Sequence, residues 1–274
     1  FWFGGDNFSK TWFTEQVNTS IKNLGPRFTP KLNVEIHGIN HNFDAVLKNE
    51  QARTYIFEKL NVLYKALKSL KGSCDKYGLD IKDDFNKLSN CLVDSWQNIS
   101  RGDASVILIE NTYDIAVKEI VRLSGSILDK ISKESRTIEG ESDRRAFQND
   151  KYEFRNATDD FEVESQAFNL FNHPYLIVYG DAGIGKSHLL GDFSNKLIKD
   201  NKPSIFVLGQ TLTDTTNPWT QILKDELRLD CNEDVFLGVL NTIGHAQQER
   251  VPIVIDFERR QRTFILEKYV GRLY

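Results

Sequence analysis

The chain has 274 residues, 40% of them hydrophobic and 27% charged, with a formal net charge of −4. This balance suits a globular protein large enough for two domains, and it gives no general attraction to nucleic acid or anionic lipid. Cys74, Cys91 and Cys231 form no CxxC or metal-ligand pattern, so they read as free thiols of a reducing, cytoplasmic setting, and no apolar run approaches the ~20 residues needed to cross a bilayer.

In chain order, residues 1–42 read as an N-terminal segment or linker. Phe8 to Leu24 has helical character, and Pro26 and Pro30 then break the pattern. Residues 43–135 carry three apolar stripes. The first is Ile56, Leu60, Leu63, Leu67 and Leu70; the second is Ile81, Phe85, Leu88, Leu92 and Ile99. The third is Ile109, Tyr113, Ala116, Ile120, Leu123, Ile127 and Ile131. Such spacing places each stripe on one helical face, and serial amphipathic helices hide those faces by packing into a bundle. The charged segment from Arg136 to Asp150 reads as linker, and residues 136–160 are assigned to it.

From residue 161 to 274 the expectation is a nucleotide-binding domain, C-terminally incomplete. Tyr175–Tyr179, Ser204–Leu208 and Val251–Ile255 are apolar runs of the kind that parallel strands covered on both faces display. Helical patterns lie between them at Lys186–Lys199, Trp219–Leu227 and Asp234–Gln248. The predicted fold is therefore an α/β P-loop domain, a parallel sheet with flanking helices, preceded by an all-α bundle. The absence of methionine adds the expectation that the chain is a piece of a larger multidomain protein.

The chemistry is carried by Gly180-Asp181-Ala182-Gly183-Ile184-Gly185-Lys186-Ser187, which fits G-x-x-x-x-G-K-[ST]. Glycines let the backbone curl its N–H groups toward a phosphate, and the following helix adds its positive end. Lys186 would reach the β and γ phosphates and the Ser187 hydroxyl would ligate Mg²⁺. His188 completes the expected cofactor-binding set, with a packing or capping role in the first helical turn. Asp256, after Ile253-Val254-Ile255, is the candidate for the Mg²⁺ shell. Phe257 stands where many P-loop ATPases place a glutamate, which leaves Glu258 as the candidate base. Arg259, Arg260 and Arg262 read as a solvated face, with a phosphate contact across subunits as the alternative. Asn217-Pro218-Trp219 reads as a helix start, with Trp219 in the core.

With these residues assembled, the chain resembles the bacterial antiviral STAND NTPases of the Avs type, relatives of the NACHT and apoptotic ATPases. The resemblance runs from about Ser20 to Asp256 and is densest from Tyr175 to Leu190. Lys202–Gln210, Asn217–Ile222 and the early Leu24–Pro30 with Asn33-Val34 are also similar to recurring family segments. It implies a central ATPase between an N-terminal effector and a C-terminal sensor of phage proteins, with ATP and Mg²⁺ as cofactors. It further implies a homo-oligomer, tetrameric or similar, built through the NTPase and helical domains, with nucleic acid met only by the effector and no membrane. The pattern departs after Asp256, where Arg260 replaces an acidic residue. Three functions follow: an ATP-hydrolysing antiviral switch, a nucleotide-gated assembly module with little turnover, or an unrelated P-loop enzyme.

Overall fold

The computed structural model describes residues 7–29, 37–100, 112–134, 138–172, 174–181, 183–212 and 217–257. The helices are α1 (Lys10–Leu24), α2 (His37–Leu47), α3 (Glu50–Lys76), α4 (Lys82–Ser100), α5 (Thr112–Glu134), α6 (Glu141–Asn172), α7 (Lys186–Lys199), α8 (Pro218–Thr220) and α9 (Glu233–Gln247). The strands are β1 (Ile205–Leu208) and β2 (Ile253–Asp256). The chain divides into two compact units, residues 37–176 and residues 1–36 with 177–274. No helix among the described residues is long and apolar enough to cross a membrane.

The unit of residues 37–176 is a helical bundle. Asn49 starts α3 by accepting from the Ala52 N–H at 2.9 Å, the usual satisfaction of an orphan first-turn donor. The helix stops at Gly78 (φ 69°), where the Leu79 N–H reaches the Cys74 carbonyl at 2.9 Å. Only glycine takes that left-handed position cheaply, so the chain turns there into α4. Ile56, Leu60, Leu63, Leu67 and Leu70 are all buried, as are Leu88 and Leu92 of α4 and Ile120, Leu123, Ile127 and Ile131 of α5. These positions form the core of the bundle, with Ile81 buried and Phe85 and Ala116 partly buried; Ile109 and the side chains of Ile99 and Tyr113 lie outside what is described.

The linker expected over residues 136–160 is not a linker beyond its first residues. α6 runs through it without interruption from Glu141, and it packs on α2, α3 and α5. Its buried anchors are Phe147, Phe154 and Phe161, spaced by seven on one side, with charged residues on the others. So narrow an apolar seam is compatible with a helix that is polar almost all round.

In the other unit, β1 and β2 pair in parallel, from Ile205 opposite Ile253 to Leu208 opposite Asp256. Parallel neighbours need a long crossover, supplied here by α8, its π-helical continuation Gln221–Glu226 and α9. Phe206, Leu208 and Val254 meet Val17 and Leu24 of α1 with Leu190 and Phe193 of α7. Ile205 and Val207 instead meet Ile222, Leu223, Phe236 and Leu240. The Ser20 hydroxyl of α1 donates to the Phe206 carbonyl, fastening α1 to the sheet.

This corrects the expected fold class. The described residues are mainly helical, and their sheet is a single two-stranded parallel pair. The wider parallel sheet of a P-loop NTPase domain is not present among the described residues. The expected strand Tyr175–Tyr179 forms no ladder; Tyr175, Ile177 and Tyr179 are 38, 57 and 83% exposed. An apolar, β-branched run records suitability for a covered strand, and it becomes one only where neighbouring elements cover it.

Two helical glycines of this unit separate sterics from propensity. A Cβ on Gly238 of α9 would meet nothing within 4 Å, whereas one on Gly191 of α7 would lie 3.1 Å from Leu24 and 3.2 Å from Phe28. Gly238→Ala is therefore expected to stabilise the protein by about 0.5–1 kcal/mol, the ordinary helix-propensity gain. Gly191→Ala should forfeit that gain and lower stability. Urea midpoints of the two variants check this; equal gains would show that α1 yields freely.

Candidate phosphate site

The loop after Gly180 ends in α7 as its sequence requires. Gly183 and Gly185 have φ of 82° and 91°, where a side chain would be strained. Gly185 is the N-cap, makes no side-chain cap, and no acidic residue follows in the first turn. The first N–H groups of α7 therefore receive no acceptor from the N-cap side chain or from a first-turn carboxylate, the arrangement that suits an incoming anion. Asp181, Gly183, Ile184 and Gly185 are exposed, and Ser187 is half-buried.

Lys186 folds back over the loop. Its ammonium donates to the carbonyl of Gly180 at 2.9 Å and to that of Asp181 at 2.6 Å. A phosphate held in the loop would compete for this ammonium with two neutral acceptors, and a charged acceptor is the stronger. Two cavities are described, one against α1, α7 and α9 and one along α5, and neither includes a loop residue. The exposure of Asp181, Gly183, Ile184 and Gly185 places the loop at the surface.

Asp256 ends β2 and is buried to 8% exposure. Its carboxylate faces the Arg27 guanidinium at 3.9 Å, and the other end of that guanidinium donates to Gln210 Oε1 at 2.8 Å. Arg27 belongs to the short turn Gly25–Arg27 that follows α1. Two residues on, the Thr29 N–H donates to His188 Nδ1 at 3.2 Å, and the Phe28 ring lies 5.1 Å from the His188 ring. The segment Gly25–Thr29 thus touches the first turn of α7 and the C-terminal ends of both strands. It sets the loop's helix and Asp256 at the same edge of the unit, the edge where parallel strands deliver their ligands.

The expected site residues separate accordingly. Gly180, Asp181, Gly183, Ile184, Gly185, Lys186 and Ser187 form the loop, and His188 is a buried packing and hydrogen-bonding residue. No described contact joins Asp256 to Lys186 or Ser187. Ala182, Glu258, Arg259, Arg260 and Arg262 lie outside the described residues. Arg27, Phe28, Thr29 and Gln210 were not legible as site residues; only the family resemblance of their segments marked them.

Among the described residues no group of three or more His, Cys, Asp or Glu side chains is placed to hold a metal. Mg²⁺ does not require one, since it binds through one or two carboxylates and substrate phosphates while keeping several waters. One hydroxyl, Ser187, and one carboxylate, Asp256, fit that chemistry. When bound, the ion would neutralise charge on the phosphate oxygens.

Cys74, Cys91 and Cys231 are thiols, with no disulfide between them. Burial, with Glu119 and Asp94 nearby, pushes the Cys91 thiol above its ordinary range, and burial with Asp230 does the same for Cys231. Neither is an activated nucleophile.

Comparison of the chain with protein-family models, curated proteins and solved structures gives no match.

Proposed function

We propose that the chain is a nucleotide-binding switch module: the Gly180–Ser187 loop holds the terminal phosphates of ATP, and Asp256 holds the Mg²⁺ that accompanies them. The observation that carries this reading is the meeting, through Gly25–Thr29, of an uncapped helix start and a buried strand-end carboxylate at one edge of the unit. The resemblance to antiviral STAND NTPases supplies the larger frame. ATP favours an oligomer of this chain, the oligomer gathers effector domains, and a phage protein sensed elsewhere sets the process going. Ligand drives such a change only in so far as it binds one state better than the other.

One observation favours slow turnover. Phe257, directly after Asp256, packs against the apolar cluster beneath the sheet, so that position contributes packing and no group that activates water. ATP hydrolysis then falls to Glu258, or turnover is minor and binding alone sets the state. The test measures ATP binding, turnover and oligomer size for the wild type and Glu258→Gln. Binding and assembly with negligible turnover in the wild type favours the gated module. Loss of turnover in Glu258→Gln favours the hydrolase, and a wild type that binds no nucleotide ends both readings.

A further inference from the structure

Arg27 occupies an unusual place for a surface arginine. Its side chain is 37% exposed while that of Asp256 is 9% exposed, so the guanidinium covers a nearly buried carboxylate. Yet the 3.9 Å separation is longer than a charge-assisted hydrogen bond, and the 2.8 Å bond goes to Gln210 instead. The guanidinium is anchored by Gln210 and by the Leu24 carbonyl, to which its Nε donates at 3.4 Å, and it neutralises Asp256 from a distance, which is the role a metal ion would take there. A compact divalent cation carries twice the charge and ligates oxygen directly, so the two compete for one carboxylate.

The rest of the segment gives this competition a consequence. Arg27 lies between two other attachments of the same short turn: the Phe28 N–H reaches the Gly25 carbonyl at 3.1 Å, and the Thr29 N–H reaches His188 Nδ1 at 3.2 Å. Gly25 itself has φ 55° and closes α1 by donating its N–H to the Lys22 carbonyl. The turn is thus joined to α1 on one side, to the α7 first turn on the other, and to Asp256 between them.

We propose that Arg27 is a latch: its pairing with Asp256 pins the Gly25–Thr29 turn to the site, and a divalent cation arriving with nucleotide takes Asp256 and frees the turn. This rests on the reading of Asp256 as part of the phosphate site. The segment thereby reports the occupancy of the site to α1, which is fastened to β1 through Ser20. Arg27 is a positioning residue here and takes no part in chemistry.

The test is amide hydrogen exchange at Phe28 and Thr29 in the full chain, for the wild type, Arg27→Ala, Asp256→Asn and the double variant. Each single variant should exchange about 3- to 10-fold faster than the wild type at these amides. The double variant should be no faster than Arg27→Ala, because that substitution already removes the one contact that Asp256→Asn takes away. In the wild type, Mn²⁺ with ATP should bring the same amides to the rate of Asp256→Asn. Electron paramagnetic resonance of free Mn²⁺ should show tighter Mn²⁺·ATP binding in Arg27→Ala by a similar factor. Unchanged exchange in either single variant overturns the latch, as does full protection of the turn while Mn²⁺·ATP is bound. Weaker Mn²⁺·ATP binding in Arg27→Ala also overturns it, since the arginine would then be a ligand-binding group. Coupled exchange in the variants, with no nucleotide bound by any of them, retains the pinning and defeats the phosphate reading alone.

Discussion

Lys186→Ala is expected to weaken ATP binding by about 10- to 100-fold, the range spanned by losing charge-assisted hydrogen bonds of about 1.5–3 kcal/mol. Stability should barely change. Among the described residues the Lys186 ammonium meets the carbonyls of Gly180 and Asp181, both on its own loop, and such backbone acceptors near the surface pass readily to water. The loop glycines keep their left-handed conformations in the variant, since Gly183 and Gly185 do not depend on the lysine. Isothermal titration with ATP, beside a thermal unfolding curve, separates the effects. An unchanged Kd would refute phosphate binding by this loop, whereas a large loss of stability would mean that the lysine is a structural strut.

The second large effect is expected in the bundle. Phe154 lies at the centre of the α6 seam, fully buried between Phe147 and Phe161. Truncating a buried phenylalanine to alanine costs about 3–5 kcal/mol through lost transfer energy and the cavity left behind. That is a large part of the ~5–15 kcal/mol that holds a typical domain together. Phe154→Ala should therefore lower the urea midpoint of the α3 and α6 amides, followed by hydrogen exchange, while α7 and β1 amides keep theirs. A loss below about 1 kcal/mol would mean that the seam is loosely packed, and a matching loss at β1 would join the units into one cooperative body.

Much of the bundle was legible because α3, α4 and α5 repeat apolar residues at alternating spacings of three and four, the period of a helix with one covered side. α6 escaped for the opposite reason. Phe147, Phe154 and Phe161 are far apart in a charged sequence, and a linker and a helix with so narrow a seam look alike until a partner is known. β1 and β2 were legible as apolar runs, and α7 begins at the lysine its motif predicts. The run Tyr175–Tyr179 misled because hydrophobicity states what a segment tolerates, whereas a ladder depends on neighbours far away in sequence. The same distinction divides the site. Loop chemistry is local and readable, and Asp256 stands at a strand end as expected. Its partner Arg27 lies in a segment that no spacing rule connects to it.

The bond from Ser20 to the Phe206 carbonyl spans a sequence separation of 186 residues, and it bears on the order of folding. Contacts so remote must close a long loop before they give any return, so they form late relative to helical neighbours. The intervening bundle draws on residues 37–176 alone and can condense first. Refolding should accordingly show fast helical signal followed by a slower phase in which α1 finds its strand. Until that moment Phe206 and Leu208 lack one of their two covers, which makes the interval the time when this protein is most open to aggregation.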